Sequence, residues 1–393
     1  MKLPPQPWLS TSGARRIFAA LDAAGGHVRP VGGAVRDALL GLPVSDVDLA
    51  TDWLPADVVR RLQAGGIKTV PTGIAHGTIT AVVDGEVIEI TTLRRDVTTD
   101  GRHAEVAFSD DWREDAARRD FTINALYVDP ISLEISDFFG GLADLDERRV
   151  RFIGEPLRRI AEDHLRILRF FRFHARFGRG EPDAEGLAAC TTRANDLMAL
   201  SRERIRDEIS KLLAVADPVP VIRTMLAAGV LAPVLPEAQD INRLERLVAA
   251  EAQTTPHWLR RLAALLPADA AMLDEVAARL KLSNHDRKRL VAMGAPSTGN
   301  PMEEAYWDGA AAVTDRLLLA GAPAERFAGL VDWVRPKLPI TGRVLIARGM
   351  AAGPAVSLTL GAIERRWAAN GFPADVSNLI DEALAAPVSG IKT

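Results

Sequence analysis

A single cysteine, Cys190, stands in 393 residues. No disulfide framework and no cysteine-rich zinc site can be built from it, and such usage fits a reducing compartment. Histidine is sparse too, with seven in all. His285 and Asp286 adjoin like the dyad of metal-dependent phosphohydrolases, but those sites need several further histidines and none follows His285. The pair therefore reads as surface. No stretch approaches the roughly 20 apolar residues that a membrane helix needs. The opening M-K-L-P-P-Q-P-W-L-S has no apolar core of signal-peptide length. The expectation is a cytoplasmic protein that touches no membrane. An excess of positive charge is also missing: 48 Lys and Arg face 52 Asp and Glu, for a net charge of −4. A broadly basic coat is excluded, although a basic stripe on a mildly acidic chain can still hold nucleic acid.

What is present is an ordinary globular composition, 48% hydrophobic and 25% charged, in a chain long enough for about two to four domains. Residues 11–24 read as an amphipathic helix with Ile17, Phe18 and Leu21 on one side. His27–Val31 and Val44–Ala50 read as strands around a glycine-opened helix, Gly33–Leu40. Pro55–Ala64 starts a helix on a first-turn proline. Residues 77–94 alternate on both sides of Asp84-Gly85, a strong two-residue hairpin signal. Residues 95–110, polar and rich in Asp and Thr, predict a mobile loop. From about 156 onward strand signals fade and helical spacing takes over. The pattern is α+β, a small mixed head and then an all-helical remainder, with a seam near I-G-E-P (153–156).

The segment V-G-G-A-V-R-D-A-L-L-G-L-P-V-S-D-V-D-L-A-T-D (31–52) raises a chemical question. Aspartate is a poor strand former, and strand residues two apart share a face. Asp46 and Asp48 therefore point the same way and repel, unless something positive lies between them. Taken alone, D-x-D also fits a solvated edge strand. The upstream Gly32-Gly33 pair allows close backbone approach, the following helix offers N–H groups to an anion, and Arg36 adds charge. A phosphate cradle beside two carboxylates suits a hard cation and a nucleoside triphosphate. Glu89, alternating with Ile88 and Ile90, supplies a third carboxylate if its strand lies beside Asp48; otherwise it pairs with Arg94 or Arg95.

Two more segments carry charge in pattern. In A-R-R-D-F-T-I-N-A-L (117–126), two arginines precede Asp120, which reads as a helix cap, before an apolar run. Either arginine can neutralise a triphosphate or lie on a solvated surface. In A-E-D-H-L-R-I-L-R-F-F-R-F-H-A-R-F (161–177), helical by pattern, Asp163, Arg166, Arg169 and Arg172 recur every third residue. On a helix this makes a slanted polar ribbon. It reads either as intrahelical pairing of Asp163 with Arg166 on a wet surface, or as a carboxylate–guanidinium pair for a base edge followed by phosphate-binding arginines.

Together these segments resemble the class II tRNA nucleotidyltransferases, or CCA-adding enzymes, and the related bacterial poly(A) polymerases of the DNA polymerase β superfamily. The matching pieces run in the family's order over roughly 30–210. They include S-D-V-D-L-A-T (45–51), G-I-A-H-G-T-I-T (73–80), E-I-T-T-L-R (89–94), D-G-R-H-A-E-V (100–106), G-G-L-A-D-L (140–145), E-D-H-L-R-I-L-R-F-F-R-F (162–173) and E-R-I-R-D-E (203–208). In the tail, P-I-T-G-R-V-L (339–345) and G-P-A-V-S (353–357) look like a degraded C-terminal motif, since Val344 follows Gly342-Arg343 where the family has an acidic residue.

The resemblance implies a nucleotidyltransferase head over residues 1–152, a helical neck over 153–215 that selects the nucleotide, and a helical body and tail over 216–393 that hold tRNA. It implies that Asp46 and Asp48 bind Mg²⁺ and that Glu89 is the third catalytic acid. Gly33, Arg36 and Arg119 would bind the triphosphate. Asp163 and Arg166 would hydrogen-bond the base of CTP or ATP, with Arg169 and Arg172 extending that site. Cytosine and adenine share an exocyclic amino donor beside a ring acceptor, whereas uracil and guanine show the opposite polarity. A carboxylate–guanidinium pair can thus choose C and A without a template. The loop at 95–110 would be the lever that switches between them. The implied reaction is addition of CCA to the tRNA 3′ end by two-metal nucleotidyl transfer with release of pyrophosphate. The alternatives are poly(A) polymerase or a C-only or A-only tRNA nucleotidyltransferase. T-G-I-A-H-G-T (72–78) lacks the apolar-Gly-basic motif usual in the poly(A) branch, and the tail lacks its basic character. A decayed RNA-binding relative is opposed by the intact D-x-D, and a small-molecule nucleotidyltransferase by the long helical remainder. Oligomeric state is left open by the sequence.

Overall fold

The computed structural model describes residues 1–74, 77–99, 104–251 and 254–385. The chain forms two compact units, Met1–Val234 and Leu235–Thr393. The first holds all nine described strands. In chain order its elements are α1 (Ser12–Ala20), β1 (Val28–Val31), α2 (Gly33–Leu39), β2 (Asp48–Thr51), α3 (Pro55–Ala64), β3 (Lys68–Gly73), β4 (Thr78–Val83), β5 (Glu86–Thr92), β6 (Arg94–Thr99), β7 (Ala104–Phe108), α4 (Trp112–Ala117), β8 (Leu126–Val128), β9 (Ile135–Asp137) and α5 (Gly141–Asp146). The helices α6 (Pro156–Glu162), α7 (Arg166–Phe177), α8 (Ala184–Thr192), α9 (Arg202–Leu213) and α10 (Val219–Ala227) complete the unit.

Seven strands make one mixed sheet in the order β3-β4-β5-β2-β1-β8-β9. Only β2 and β5 pair in parallel, and that register sets Asp48 opposite Glu89. The β4–β5 hairpin turns on Asp84 (φ 52°) and Gly85 (φ 84°), two left-handed residues as a tight hairpin turn of its twist requires. Val31, Ala50, Leu93, Ala125 and Tyr127 are buried together with Ile153 on the sheet. A second apolar seam joins sheet and neck helices. Phe152 stacks on Phe170 with ring centroids 5.4 Å apart, and the Phe121 ring centroid lies 5.2 Å from that of Phe173. The phenylalanines of α7 are therefore core, which explains so many aromatics beside the arginines.

Four expectations are corrected. Residues 95–110 are not a featureless loop: β6 and β7 pair antiparallel as their own two-stranded sheet, with 100–103 outside the described residues. Strand β2 begins at Asp48, so Asp46 lies in the irregular segment before it, where the Ser45 hydroxyl donates to it at 2.9 Å. Residues 161–177 are two helices, not one. Asp163 is extended (φ −150°, ψ 106°), and its carboxylate accepts the Leu165 N–H at 3.1 Å in the turn before α7, as a short acidic side chain can. Asp120 likewise caps no α-helix but accepts the Phe121 N–H at 2.9 Å, at the entry to a 3₁₀ turn, Thr122–Asn124.

The second unit is helical throughout its described residues: α11 (Asn242–Ala250), α12 (Trp258–Leu265), α13 (Ala270–Arg279), α14 (Asn284–Met293), α15 (Pro301–Asp308), α16 (Ala310–Leu319), α17 (Gly342–Ala347), α18 (Pro354–Ala369) and α19 (Ser377–Ala385). His285 lies exposed on α14. The two tail fragments of the degraded motif meet, because a Cβ on Gly342 would stand 2.8 Å from Val356. No described helix is long and apolar enough to cross a membrane.

Candidate active site

The turn between β1 and α2 opens the site. Gly32 has φ +73°, a conformation L side chains rarely adopt, and a Cβ there would stand 3.3 Å from Nη1 of Arg119. Gly33 then starts α2, and Arg36 lies one turn on. Arg36 is buried, donates to Asp37 (2.8 Å) and to the Asn124 side-chain oxygen (2.5 Å), and stacks over Phe177 at 4.0 Å. Burial lowers its affinity for a proton, against the pull of Asp37.

Asp48 faces the same space from the start of β2. Its side chain reaches solvent in the cleft, yet its acid is held above the ordinary value, first by the protein crowded around it and then by Glu89 and Asp46, against the attraction of Arg119. Loss of solvent is the larger cause, and the neighbouring carboxylates add to it. Glu89 is exposed on β5. Among the described residues no group of three or more His, Cys, Asp or Glu side chains is arranged to hold a metal ion.

The arginines come from three directions. Arg119, after α4, donates to Asp115 (3.1 Å) and to the Tyr127 hydroxyl (3.1 Å). Burial would lower its proton affinity, but Tyr127 and Asp115 raise it. On α7, Arg169 grips Asp120 with two nitrogens (2.8 and 2.5 Å), and Arg172 donates to Glu208 of α9 (2.6 Å). Burial would raise the Asp120 acid, but Arg169, the Asn124 amide and the Phe121 N–H bring it down to about 2.

Asp163 and Arg166 do not pair with each other through their side chains. Asp163 accepts from Arg204 with both oxygens, at 3.0 Å each. Arg166 donates to Glu162 (2.8 Å) and to the backbone carbonyls of Arg159 (2.9 Å) and Arg118 (3.0 Å). The cause is the helix break, which turns Asp163 toward α9 and leaves Glu162, one turn before Arg166, as its partner.

One cavity of about 690 Å³ collects Gly33, Arg36, Asp46, Asp48, Arg119, Asp163, Arg166, Arg169 and Arg172. Glu89 is outside its lining and meets the others only through its register with Asp48. Sequence reasoning missed Asn124, Asp120 and Lys211, which line the same space together with Arg118, the other arginine of the 118–119 pair. The spacing of Asp120 and Asn124 was a usable signal for two of these: four residues apart across a short turn, they join at 2.9 Å. Lys211 gave no signal of its own.

Residues 28–151 match the family model described as the Poly A polymerase head domain, and residues 181–241 the one described as the probable RNA and SrmB- binding site of polymerase A. The chain is 33% identical to CCA tRNA nucleotidyltransferase 1, mitochondrial, of Mus musculus, over 95% of this chain and 90% of that protein. It is 32% identical to the CCA-adding enzyme of Lacticaseibacillus paracasei, over 93% of this chain and 94% of the relative. The crystal structure of the Bacillus stearothermophilus CCA-adding enzyme in complex with CTP superposes with a TM-score of 0.77 at 28% identity, covering 95% of this chain and 98% of that one. Fold and cavity are those of a nucleotidyltransferase, a class that normally works with a divalent metal ion. The chain belongs to the CCA tRNA nucleotidyltransferase family, the CCA-adding enzymes.

Proposed function

We infer that this chain adds C, C and A to the 3′ end of tRNA, using CTP and ATP and releasing pyrophosphate. The observation that carries the reading is the single cavity that Asp46 and Asp48 line together with Gly33, Arg36, Arg119 and the arginines of α7. In the reaction the tRNA 3′-hydroxyl forms a bond to the α-phosphorus, and the bond to the bridging oxygen breaks. In this assignment Gly33, Arg36 and Arg119 bind the triphosphate. The glycine turn admits the phosphates close to the backbone, and the guanidiniums balance their charge.

Asp46 and Asp48 would hold Mg²⁺, whose preference for hard oxygen donors they meet. The two carboxylates line one cavity, and Glu89 and Asp46 both disfavour the Asp48 charge, a repulsion that a bound cation would relieve. When bound, the ion supplies activation of the hydroxyl and neutralisation of the leaving charge. Glu89, beside Asp48 in register, is assigned as the third acid.

Asp163 and Arg166 are assigned to the base, Asp163 accepting from the exocyclic amino group and Arg166 donating to the ring acceptor, with Arg169 and Arg172 extending the site. Both base readers have protein partners, Arg204 and Glu162, so reading a base exchanges an internal ion pair for one with the nucleotide. Uracil or guanine shows the opposite polarity and gives nothing in exchange, so Asp163 stays on Arg204 and Arg166 on Glu162.

The proposed division of labour is catalysis in residues 1–152, nucleotide choice in 153–215 and tRNA binding in 216–393. A cytoplasmic location fits the tRNA substrate and the free, buried Cys190. Extension of tRNA ending at its discriminator base tests the reading. CTP alone should add two residues, and ATP should then add one more and stop. A long ladder with ATP alone on unstructured RNA would move the protein to poly(A) synthesis, and addition of only C or only A would assign it to a split pair.

A further inference from the structure

Behind the cavity wall one carboxylate organises several partners. Asp115, on α4, is 1% exposed. Its Oδ1 accepts from Arg118 Nε (2.8 Å) and Nη2 (2.6 Å), and the Arg94 N–H points at it from 3.4 Å. Its Oδ2 accepts from Arg119 Nη2 (3.1 Å) and from the Tyr127 hydroxyl (2.6 Å). Tyr127, wholly buried on β8, in turn accepts from Arg119 Nε at 3.1 Å, and its ring centroid lies 5.3 Å from the guanidinium.

This arrangement engages Nε and Nη2 of Arg119 and leaves Nη1 beside Gly32, where a Cβ would come within 3.3 Å. A guanidinium is a planar fork whose donors act together once its plane is fixed. Burial would raise the Asp115 acid, but Arg119, Arg118 and the Tyr127 hydroxyl hold it at about 2, so it is charged at any working pH. One carboxylate against two guanidiniums orients them without cancelling their charge. Arg118 and Arg119 both line the cavity, while Asp115 and Tyr127 do not.

We propose that Asp115 and Tyr127 are the positioning residues of the triphosphate site, fixing Arg118 and Arg119 so that Arg119 Nη1 faces the glycine turn. The proposal rests on the assignment of Arg119 to the triphosphate. Its consequence is specific. The pair acts on the part common to CTP and ATP and takes no part in choosing the base.

The test is calorimetric binding of CTP, ATP, pyrophosphate and CMP to the full chain with Mg²⁺, in Tyr127→Phe, Asp115→Asn and Arg119→Ala, with melting temperatures measured alongside. Tyr127→Phe removes one hydroxyl and should weaken CTP, ATP and pyrophosphate by a common factor, roughly threefold to tenfold, while CMP is unchanged. Asp115→Asn should weaken the same three by roughly ten- to a hundredfold. If Asp115→Asn does not fold, Tyr127→Phe carries the test. A Tyr127→Phe protein with a lower melting temperature but wild-type affinity for pyrophosphate would overturn the proposal, as would equal weakening of CMP. Wild-type pyrophosphate affinity in Arg119→Ala as well would show that the triphosphate assignment itself had failed. Loss in Arg119→Ala alone would reject only the positioning role.

Discussion

Asp48 shows how a residue can be unfavourable for the fold and necessary for the chemistry. Its acid sits above the ordinary 3.8 because the protein around it, Glu89 and Asp46 all disfavour the charge. The unfolded chain, with a lower value, holds the carboxylate more easily, so ionised Asp48 works against folding at neutral pH. Asp48→Asn is therefore expected to lose nucleotide addition by a factor on the order of 10³, as several kcal/mol of lost transition-state stabilisation implies, yet to melt at or above the wild-type temperature. Gel-resolved extension and calorimetry on one preparation decide it. Turnover near wild type would remove Asp48 from catalysis, and a lower melting temperature would contradict the repulsion. In the metal-free protein, carboxyl NMR should find Asp48 titrating above 3.8, and Glu89→Gln should lower that value.

At the scale of elements, α7 is held to the head by Arg169 on Asp120 and to α9 by Arg172 on Glu208. Asp120 goes from an ordinary 3.8 in the unfolded chain to about 2 in the folded one. Between those values the unfolded chain binds more protons, so this contribution is full above about pH 4 and is lost as the pH falls toward about 2. It amounts to about 2 kcal/mol. Denaturant melts at pH 6 and pH 3 should show wild type losing more stability than Asp120→Asn over that interval. Parallel pH profiles for the two proteins would mean that Asp120 is not what fastens the neck to the sheet. These contacts were partly legible in the sequence. The three-residue spacing marked the arginines, but their partners lie 36 to 49 residues away and carry no local sign.

At the scale of the molecule, the compact units divide at Val234 and Leu235, and α10 packs on α7 within the first. A chain ending at Val234 keeps the sheet, the neck and the whole cavity lining. It should fold, bind CTP with an affinity within about threefold of the full chain's, and lose at least about tenfold in tRNA affinity, a loss of about 1.4 kcal/mol. A chain cut near 220 strips α10 from α7 and should melt lower than the longer fragment. Filter binding of tRNA and calorimetry with CTP measure both. Unchanged tRNA affinity in the fragment ending at Val234 would refute the assignment of RNA binding to the helical remainder.

The sequence by itself determined the local pieces. The Gly32-Gly33 turn needs a residue without a side chain, Asp84-Gly85 needs left-handed backbone, and the α+β division follows from a change of hydrophobic period; each is written in a few adjacent residues. The same holds for the charged residues of the cavity that sit in short contiguous motifs, such as Asp46, Asp48, Arg119 and the arginines of 166–172, but not for Lys211. Only the tertiary structure decided who partners whom. The break at Asp163 gives that carboxylate to Arg204, Glu162 takes Arg166, and residues 94–99 pair with 104–108 where composition suggested a loop. An ion pair forms between groups that the packing of Phe121, Phe152, Phe170 and Phe173 brings within hydrogen-bond range, and that distance belongs to the folded core rather than to any stretch of sequence.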